Sequence, residues 1–289
     1  MNIDPTLAER AKAGELLTAA ELDELAAADV LSLGMLADEV RRARFGDEVT
    51  FTRVVELDPA APGSSGTAGA ECRLSRLPVT LEEAEALVAE ARMLAGPQLL
   101  TGFSLADIID RSWGDLDKVL AHLKYAGLDA LVEAPVDRVA DIAVFRAAHD
   151  AGLPIRCLSL QKPLTTGRTV YILTVRAIVQ AVPSIDAVAP LPREQSIAVP
   201  TTGYHDVRSV ALARVGLPSV KIIQVDRTQY GPKLAQVALT FGANHLDRVS
   251  TVDDESLGRR RTAAEDVRRN IVAAGFKPVE AVPGGSDAP

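Results

Sequence analysis

The chain has 289 residues, of which 47% are hydrophobic and 24% charged, so it can bury a large core and has the composition of a soluble globular protein. Its formal net charge of −8 argues against general binding of nucleic acids or anionic membranes. No signal peptide is present, and no apolar run approaches the ~20 residues of a membrane span, so we predict a cytoplasmic protein whose two cysteines are reduced thiols.

The amino-terminal segment, residues 1–46, has the pattern of consecutive helices. Thr18–Glu21 has the form of a capping box, in which each side chain accepts a backbone N–H of the other residue. A strand is predicted over Asp47–Leu57, because apolar and β-branched residues predominate there. The next segment, Asp58–Arg73, is rich in Pro, Gly and Ser and is predicted to be a loop. A helix over Leu81–Ala95 follows this loop.

From residue 98 onward, short apolar runs alternate with amphipathic helices. Six further strands are predicted: Gln98–Phe103, Asp129–Glu133, Pro154–Leu160, Asp186–Leu191, Ser219–Val225 and His245–Ser250. Such alternation requires a parallel sheet with right-handed crossovers, either a barrel or a doubly wound sheet. No G-x-G-x-x-G follows a strand, so a barrel is favoured. We assign this α/β barrel to residues 47–250, and a carboxyl-terminal helix and tail to residues 251–289.

Several segments resemble, in the same order, the radical SAM enzymes of the futalosine route to menaquinone, aminofutalosine synthase and dehypoxanthine futalosine cyclase. GPKLAQVALTFGANHLD, residues 231–247, resembles the segment that joins the last two barrel strands of that family. LSLGMLADEVRRARFGDEVTF, TGFSLADI and PTTGYHDVRSVALAR also fall in register, with Asp107 standing where the family has glutamate. The resemblance implies an α/β fold with a TIM-like barrel of the radical SAM type, preceded by amino-terminal helices.

The sequence departs from this family in two respects. The family holds a [4Fe–4S] cluster with C-x-x-x-C-x-x-C, whereas the equivalent loop here has Cys72 alone, and Cys157 lies in another predicted strand. We therefore expect no cluster, no other metal or cofactor and no binding of S-adenosylmethionine. In addition, the helix Leu81–Ala95 runs almost directly into the strand Gln98–Phe103. One βα unit of about 30 residues is thus expected to be missing, which reduces the barrel to about seven strands.

The loops after the strands form the functional face of a parallel α/β barrel. The polar residues at these positions are Asp58, Asp107, Glu133, Gln161, Lys162, Arg193, Glu194, Asp226, Arg227, His245 and Asp247. Of these, we predict His245, Asp226, Glu133 and Arg193 as catalytic residues and Asp107 as a cofactor-binding residue. A histidine near a carboxylate can act as a general base. The alternative is that these residues are polar because strand ends are exposed.

Three functions are compatible with the sequence. The first is a cluster-less homologue that serves as a non-catalytic partner or scaffold in menaquinone biosynthesis, associated with an intact radical SAM homologue or with a second copy of itself. The second is a non-radical acid–base enzyme acting on a nucleoside- or chorismate-derived substrate. The third is a small-molecule binding protein that keeps the ligand pocket without catalysis. Neither nucleic acid nor membrane is expected as a partner.

Overall fold

The computed structural model describes residues 3–60, 66–67, 69–164, 166–185, 187–194, 202–251 and 263–282. The helices in these ranges are α1 (Pro5–Lys12), α2 (Ala19–Ala27), α3 (Val30–Phe45), α4 (Leu81–Ala95), α5 (Leu105–Arg111), α6 (Leu116–Ala126), α7 (Ile142–Asp150), α8 (Arg168–Ala181), α9 (Gly203–Gly216), α10 (Arg227–Leu239) and α11 (Ala263–Ala273). The strands are β1 (Glu48–Leu57), β2 (Glu71–Leu74), β3 (Leu100–Ser104), β4 (Ala130–Pro135), β5 (Leu158–Leu160), β6 (Ala187–Pro192), β7 (Ile222–Asp226), β8 (His245–Ser250) and β9 (Lys277–Glu280).

The helices α2 and α4 begin at side-chain caps that are visible in the sequence. Thr18 and Glu21 form a reciprocal capping box at α2, and Thr80 and Glu83 form another at α4. Each box satisfies backbone N–H groups that a helix start leaves without an intrahelical acceptor. The amino-terminal segment is therefore helical as predicted, with α2 packed on α8 and α3 packed on α9.

The strands β1 to β8 close into a parallel barrel in sequence order. Each pairs with the next, and β8 and β2 both pair with β1, which completes the ring. Helices cover the outside of the barrel, and the core between the two layers is built from buried Leu, Val, Ile and Ala. The predicted TIM-like barrel is confirmed, but its strand count in the described ranges is eight rather than seven.

The missing strand of the prediction is β2, which lies at the end of the segment predicted as a loop. Glu71 pairs with Val54 of β1, and Cys72 pairs with Leu100 of β3. The four residues of β2 therefore fill the gap between β1 and β3. The prediction that a whole βα unit is absent was therefore wrong. Among the described residues between β1 and β2, which are 58–60, 66–67 and 69–70, there is no helix.

A ninth strand, β9, adds to the barrel at β1. Thr50 pairs with His245 of β8 on one side and with Val279 of β9 on the other. Further along β1, Val54 pairs with β8 on the first side and with Glu71 of β2 on the second. The strands β9 and β2 therefore share one edge of β1, and β1 has three partners.

The helix α10 begins earlier than the sequence indicated. A proline such as Pro232 is favoured at the first helical position, so the sequence predicts a helix start at Gly231–Pro232. Residues 227–230, however, already form a helical turn capped by Asp226. Gly231 then departs from helical geometry, with φ of 76° and ψ of 162°, so that α10 is kinked there. Pro232 follows Gly231 and has no backbone N–H, so it could not donate the usual hydrogen bond inside an unbroken helix. The kink at Gly231 accommodates this proline.

No helix in the described ranges is long and apolar enough to cross a membrane. The predicted carboxyl-terminal helix corresponds to α11, and the end of the predicted tail, residues 283–289, lies outside the described part of the chain.

Candidate functional site

A cavity of about 260 Å³ opens at the carboxyl ends of the barrel strands. Residues from the ends of β1 to β8 and from the first turns of α5 and α10 line it, as expected for the functional face of a parallel α/β barrel. Four arginines and five carboxylates are among these lining residues: Arg73, Arg76, Arg193, Arg248, Glu56, Asp107, Glu133, Asp226 and Asp247. The cavity is thus a strongly charged site with a small excess of negative charge.

Four of the five residues proposed from the sequence line this cavity, namely Asp107, Glu133, Arg193 and Asp226. Glu133 comes from β4 and Asp226 from β7, Arg193 follows β6 directly, and Asp107 lies in the first turn of α5. They come from different strands because the carboxyl ends of parallel strands meet at one face. Their proximity is established, and the catalytic and cofactor-binding roles remain predictions.

The fifth residue, His245, lies below the cavity, inside the barrel. It is 7% exposed, and its ring nitrogens lie 2.7 Å from the hydroxyl of Thr50 and 3.3 Å from that of Thr52, both on β1. Burial lowers the pKa of His245 to about 4, although the nearby carboxylate of Asp247 opposes this shift. His245 is therefore a neutral imidazole at pH 7 that joins β8 to β1, and it does not line the cavity.

The floor of the cavity is an ionic cluster centred on Arg73 of β2. Its guanidinium donates to both carboxylate oxygens of Asp247, at 2.9 and 3.2 Å, and to Glu71 at 2.7 Å. Glu71 also accepts a hydrogen bond of 2.6 Å from the hydroxyl of Thr101. Burial raises the pKa of Asp247, but Arg73 outweighs this effect and lowers that pKa to about 2. This cluster is fully paired and holds Arg73 in place.

A second ion pair joins Arg193 to Glu133 across the middle of the cavity. The Glu133 side chain is 12% exposed and the Arg193 side chain 37%, so the arginine lies nearer the mouth. Burial raises the pKa of Glu133, and the charge of Arg193 acts in the opposite direction. The arginine also donates to the amide oxygen of Gln161 at 3.3 Å.

The third ion pair lies at the rim and joins Arg248 to Asp226 at 3.3 Å and to Glu56. Asp226 caps α10 by accepting the backbone N–H of Gln229 at 2.8 Å. Burial raises the pKa of Asp226 despite this hydrogen bond. Asp226 therefore has two structural duties, as a helix cap and as the partner of Arg248.

Two features of the backbone and side chains make this cavity a candidate ligand site. Phe103 and Arg248, both in its lining, have φ of 56°, a conformation that residues other than glycine adopt rarely and that clusters at functional sites. The hydroxyl of Ser104, also in the lining, is buried and has no hydrogen-bond partner among the described residues. A buried hydroxyl without a partner is costly, so a bound polar group would stabilise it.

The remaining candidates from the sequence do not line the cavity, except Asp247. Gln161 and Lys162 follow β5, and their backbone N–H groups donate to Asp137 at 2.7 and 3.0 Å. Glu194 accepts a hydrogen bond from Gln161. These residues, with Asp58 and Arg227, lie outside the set that forms the cavity.

Sequence reasoning missed Arg73, Arg248 and Ser104, which contribute the floor, the rim and the unpartnered hydroxyl. Arg73 was not predicted as a cavity residue because its strand, β2, is only four residues long and follows a Pro-, Gly- and Ser-rich segment. The alternation of Glu71 and Arg73 was a usable signal, since residues two apart on a strand share a face.

The chain was compared with known proteins, and no protein-family model matches it. It is 27% identical over 195 residues to 5-amino-6-(D-ribitylamino)uracil–L-tyrosine 4-hydroxyphenyl transferase of Archaeoglobus fulgidus, covering 56% of each chain. It is 28% identical over 201 residues to the second enzyme of that name from Methanosarcina mazei, covering 57% of this chain and 52% of the relative. The chain thus spans about half the length of the curated relatives it matches.

Solved structures with the same fold include methylornithine synthase (PylB), with a TM-score of 0.66 and 15% identity over 94% of this chain and 97% of that one. HydG, a maturase of the [FeFe]-hydrogenase, has a TM-score of 0.64 and 10% identity over 94% of this chain and 74% of its own. At these identities the likeness shows the fold, which is the fold of radical SAM enzymes.

These comparisons overturn the expectation that neither a [4Fe–4S] cluster nor S-adenosylmethionine is associated with this protein. Its structural and sequence relatives are radical SAM enzymes, the class that binds both. The resemblance to the futalosine route is narrower than the comparisons support, because the relatives are named for a tyrosine transferase reaction.

The residues of this chain were tested against such a cluster. Cys72 and Cys157 are the two cysteines of the sequence, and both are buried. Burial raises the pKa of each thiol, which opposes formation of the thiolate that binds iron. Across the described ranges, no three His, Cys, Asp or Glu side chains are placed to hold a metal ion. These residues do not fit a cluster as its ligands, so no chemistry of the cavity is assigned to one.

Proposed function

We propose that this protein binds a small polar substrate of a transferase reaction in its cavity, in the manner of an enzyme of the radical SAM fold. The observation that carries the proposal is the cavity itself, where three arginine–carboxylate pairs surround an unpartnered serine hydroxyl. Its volume lies just below the ~300–1,000 Å³ of pockets for drug-sized ligands, which suits a small metabolite. Arginines can bind a ligand carboxylate, and carboxylates can bind a ligand ammonium or hydroxyl.

The names of the curated relatives supply two candidate ligands for this site, L-tyrosine and 5-amino-6-(D-ribitylamino)uracil. L-tyrosine carries a carboxylate and an ammonium, which match the mixed charges of the lining. The second compound has ribityl hydroxyls and ring amides that can pair with the same arginines, carboxylates and serines. We favour these ligands over a nucleoside- or chorismate-derived compound of menaquinone synthesis, because the curated relatives are named for them.

A thermal-shift series on the full chain tests this proposal. The ligands are L-tyrosine, 5-amino-6-(D-ribitylamino)uracil, S-adenosylmethionine, chorismate and aminofutalosine. A ligand at a hundred times its Kd should add about 2.7 kcal/mol to the free energy of unfolding. We expect a shift with at least one of the first two compounds. Binding of chorismate or aminofutalosine alone would favour the menaquinone route, and no shift with any compound would contradict the proposal.

Matched variants assign the binding to the cavity. Arg193→Gln removes a charge from the lining and should reduce the ligand-induced shift. Arg138→Gln removes a charge of similar exposure whose partner, Asp110, lies outside the cavity lining. This control should leave the shift unchanged. An equal loss in both variants would mean that the ligand does not bind in the cavity.

We also propose that a second protein chain takes part, either an intact radical SAM relative or another copy of this chain. One finding supports this proposal: the residues of this chain do not fit the cluster that radical SAM enzymes use. Size-exclusion chromatography with light scattering, alone and with a full-length transferase, is the test. A mass above 30.6 kDa or co-elution is expected. A monomer that binds no relative at micromolar concentration would contradict this part of the proposal.

A further inference from the structure

The pair formed by Arg193 and Glu133 differs from the other two ion pairs of the cavity. Arg73 contacts both Asp247 and Glu71, and its side chain is 11% exposed. Arg248 contacts two carboxylates as well. Arg193 contacts a single carboxylate among the described residues, and its side chain is the more exposed of the two partners. Among the three lining arginines that form these ion pairs, it is therefore the one that an entering anion reaches with the fewest ion pairs to break.

Glu133 lies on the buried side of this pair. Beside Arg193, the groups that face it are Asp107 of α5, Arg73 of β2, the Ser159 hydroxyl of β5 and the Cys157 thiol next to β5. Asp107 repels the Glu133 charge, Arg73 is already saturated by two carboxylates, and a hydroxyl is neutral. A buried carboxylate that loses its main counter-charge is costly and becomes protonated instead.

We propose that a ligand carboxylate displaces the carboxylate of Glu133 from the guanidinium of Arg193, and that Glu133 takes up one proton from water as the ligand binds. This inference rests on the proposed function and names the ligand class of the same cavity, a small carboxylate such as an α-amino acid. Before binding, the carboxylate of Glu133 balances the guanidinium. After binding, the ligand carboxylate balances the guanidinium, Glu133 is a neutral carboxylic acid, and the solvent has lost one proton.

The exchange makes affinity depend on pH in a defined direction. Binding takes up a proton only where Glu133 is ionised in the free protein and protonated in the complex. The Kd for a carboxylate should therefore be constant below the pKa of free Glu133, which burial has already raised. Above that pKa it should weaken by up to tenfold per pH unit. A neutral ligand such as 5-amino-6-(D-ribitylamino)uracil should lack this dependence.

Isothermal titration calorimetry of the full chain tests the inference, with L-tyrosine and acetate as carboxylate probes. Titrations at pH 7 in two buffers of different ionisation enthalpy give the number of protons taken up for each ligand bound. We expect a value close to one for the unmodified chain and close to zero for Glu133→Gln. Asp110→Asn, a change at an exposed pair outside the cavity lining, is the matched control and should keep the value of the unmodified chain.

An infrared difference spectrum of the unmodified chain gives an independent measurement if Glu133→Gln fails to fold. Addition of acetate should produce the C=O band of one newly protonated carboxyl group. Binding of L-tyrosine without proton uptake would overturn the inference and keep the proposed function. Binding of 5-amino-6-(D-ribitylamino)uracil without binding of any carboxylate would also overturn the inference and keep the proposed function. Proton uptake with acetate but no binding of any candidate substrate would support the inference and contradict the proposed function.

Discussion

At the residue scale, His245 illustrates how burial decides the role of a titratable group. The same imidazole that is a potential general base in a solvated loop is here enclosed by Thr50 and Thr52, with its pKa lowered to about 4. Alternation along β8 places His245 and Asp247 on one face. Sequence cannot tell which of the two reaches the cavity, because that depends on depth within the barrel. Asp247 lines the cavity and His245 does not.

The depressed pKa of His245 predicts that the protein loses stability in mild acid. The unfolded chain protonates this histidine near pH 6.5 and the folded chain only near pH 4, so the unfolded state binds more protons between these values. The free energy of unfolding should fall by about 3 kcal/mol from this group as pH drops from 6.5 to 4. His245→Gln should remove that part of the pH dependence in urea denaturation. Thr52→Val keeps the imidazole and should keep the pH dependence; an unchanged profile in His245→Gln would contradict the assignment.

The buried cluster on Arg73 predicts a large cost for removing its charge. Arg73→Met leaves the carboxylates of Glu71 and Asp247 buried without their main counter-charge, and breaking a buried pair in this way costs about 3–5 kcal/mol. Adding Asp247→Asn removes one of the two buried carboxylates that lack a counter-charge, and it should recover part of that loss. Denaturant titration of both variants measures the difference. A double variant no more stable than the single one would show that Arg73 acts through packing rather than charge.

At the element scale, the predicted elements that agree with the structure are those whose signals are local. The helix α4 follows from Thr80, Glu83 and an apolar stripe, and the seven predicted strands follow from apolar β-branched runs. The two missed strands depend on distant partners. β2 carries Glu71 and Arg73 inside the barrel, and these are acceptable there only because Thr101 and Asp247 pair with them. The residues 277–280, KPVE, are too short and polar to predict a strand without β1 beside them.

The packing of the residue before β9 predicts a large effect of its substitution on stability, although it lies far from the cavity. Phe276, immediately before it, is 5% exposed, and its ring lies 4.1 Å from the guanidinium carbon of Arg41 and 4.5 Å from that of Arg42. Phe276→Ala should therefore lower the free energy of unfolding by about 3–5 kcal/mol. Val282→Ala, at a side chain that is 73% exposed, is the control and should change it by less than about 0.5 kcal/mol. Equal effects in thermal denaturation would mean that β9 adds little to the barrel.

At the scale of the whole molecule, the fold and the charge of the cavity have separate origins. The closed barrel follows from repeated strand–helix units, and it was predictable because each unit carries its own signal. The cavity follows from pairs such as Arg193 with Glu133, which are 60 residues apart in number and adjacent only because β4 and β6 end at the same face. Local sequence patterns can identify such residues as candidates, as they did for four residues of the lining. Which of them pair with each other depends on the closed barrel and cannot be predicted from local patterns.

The pairing of β1 with three strands has a consequence for the folding of the chain during synthesis. Glu48 at the start of β1 and Lys277 at the start of β9 form an ion pair across 229 residues of sequence. At ribosomal rates of about 5–20 residues per second, β1 waits roughly 10–45 s for this neighbour. The amino-terminal helices and the first strand therefore leave the ribosome long before the barrel can close around them. A nascent chain arrested before residue 277 would keep the first part of that edge of β1 unpaired, since β2 covers only its later part, and an unpaired strand edge is prone to aggregation.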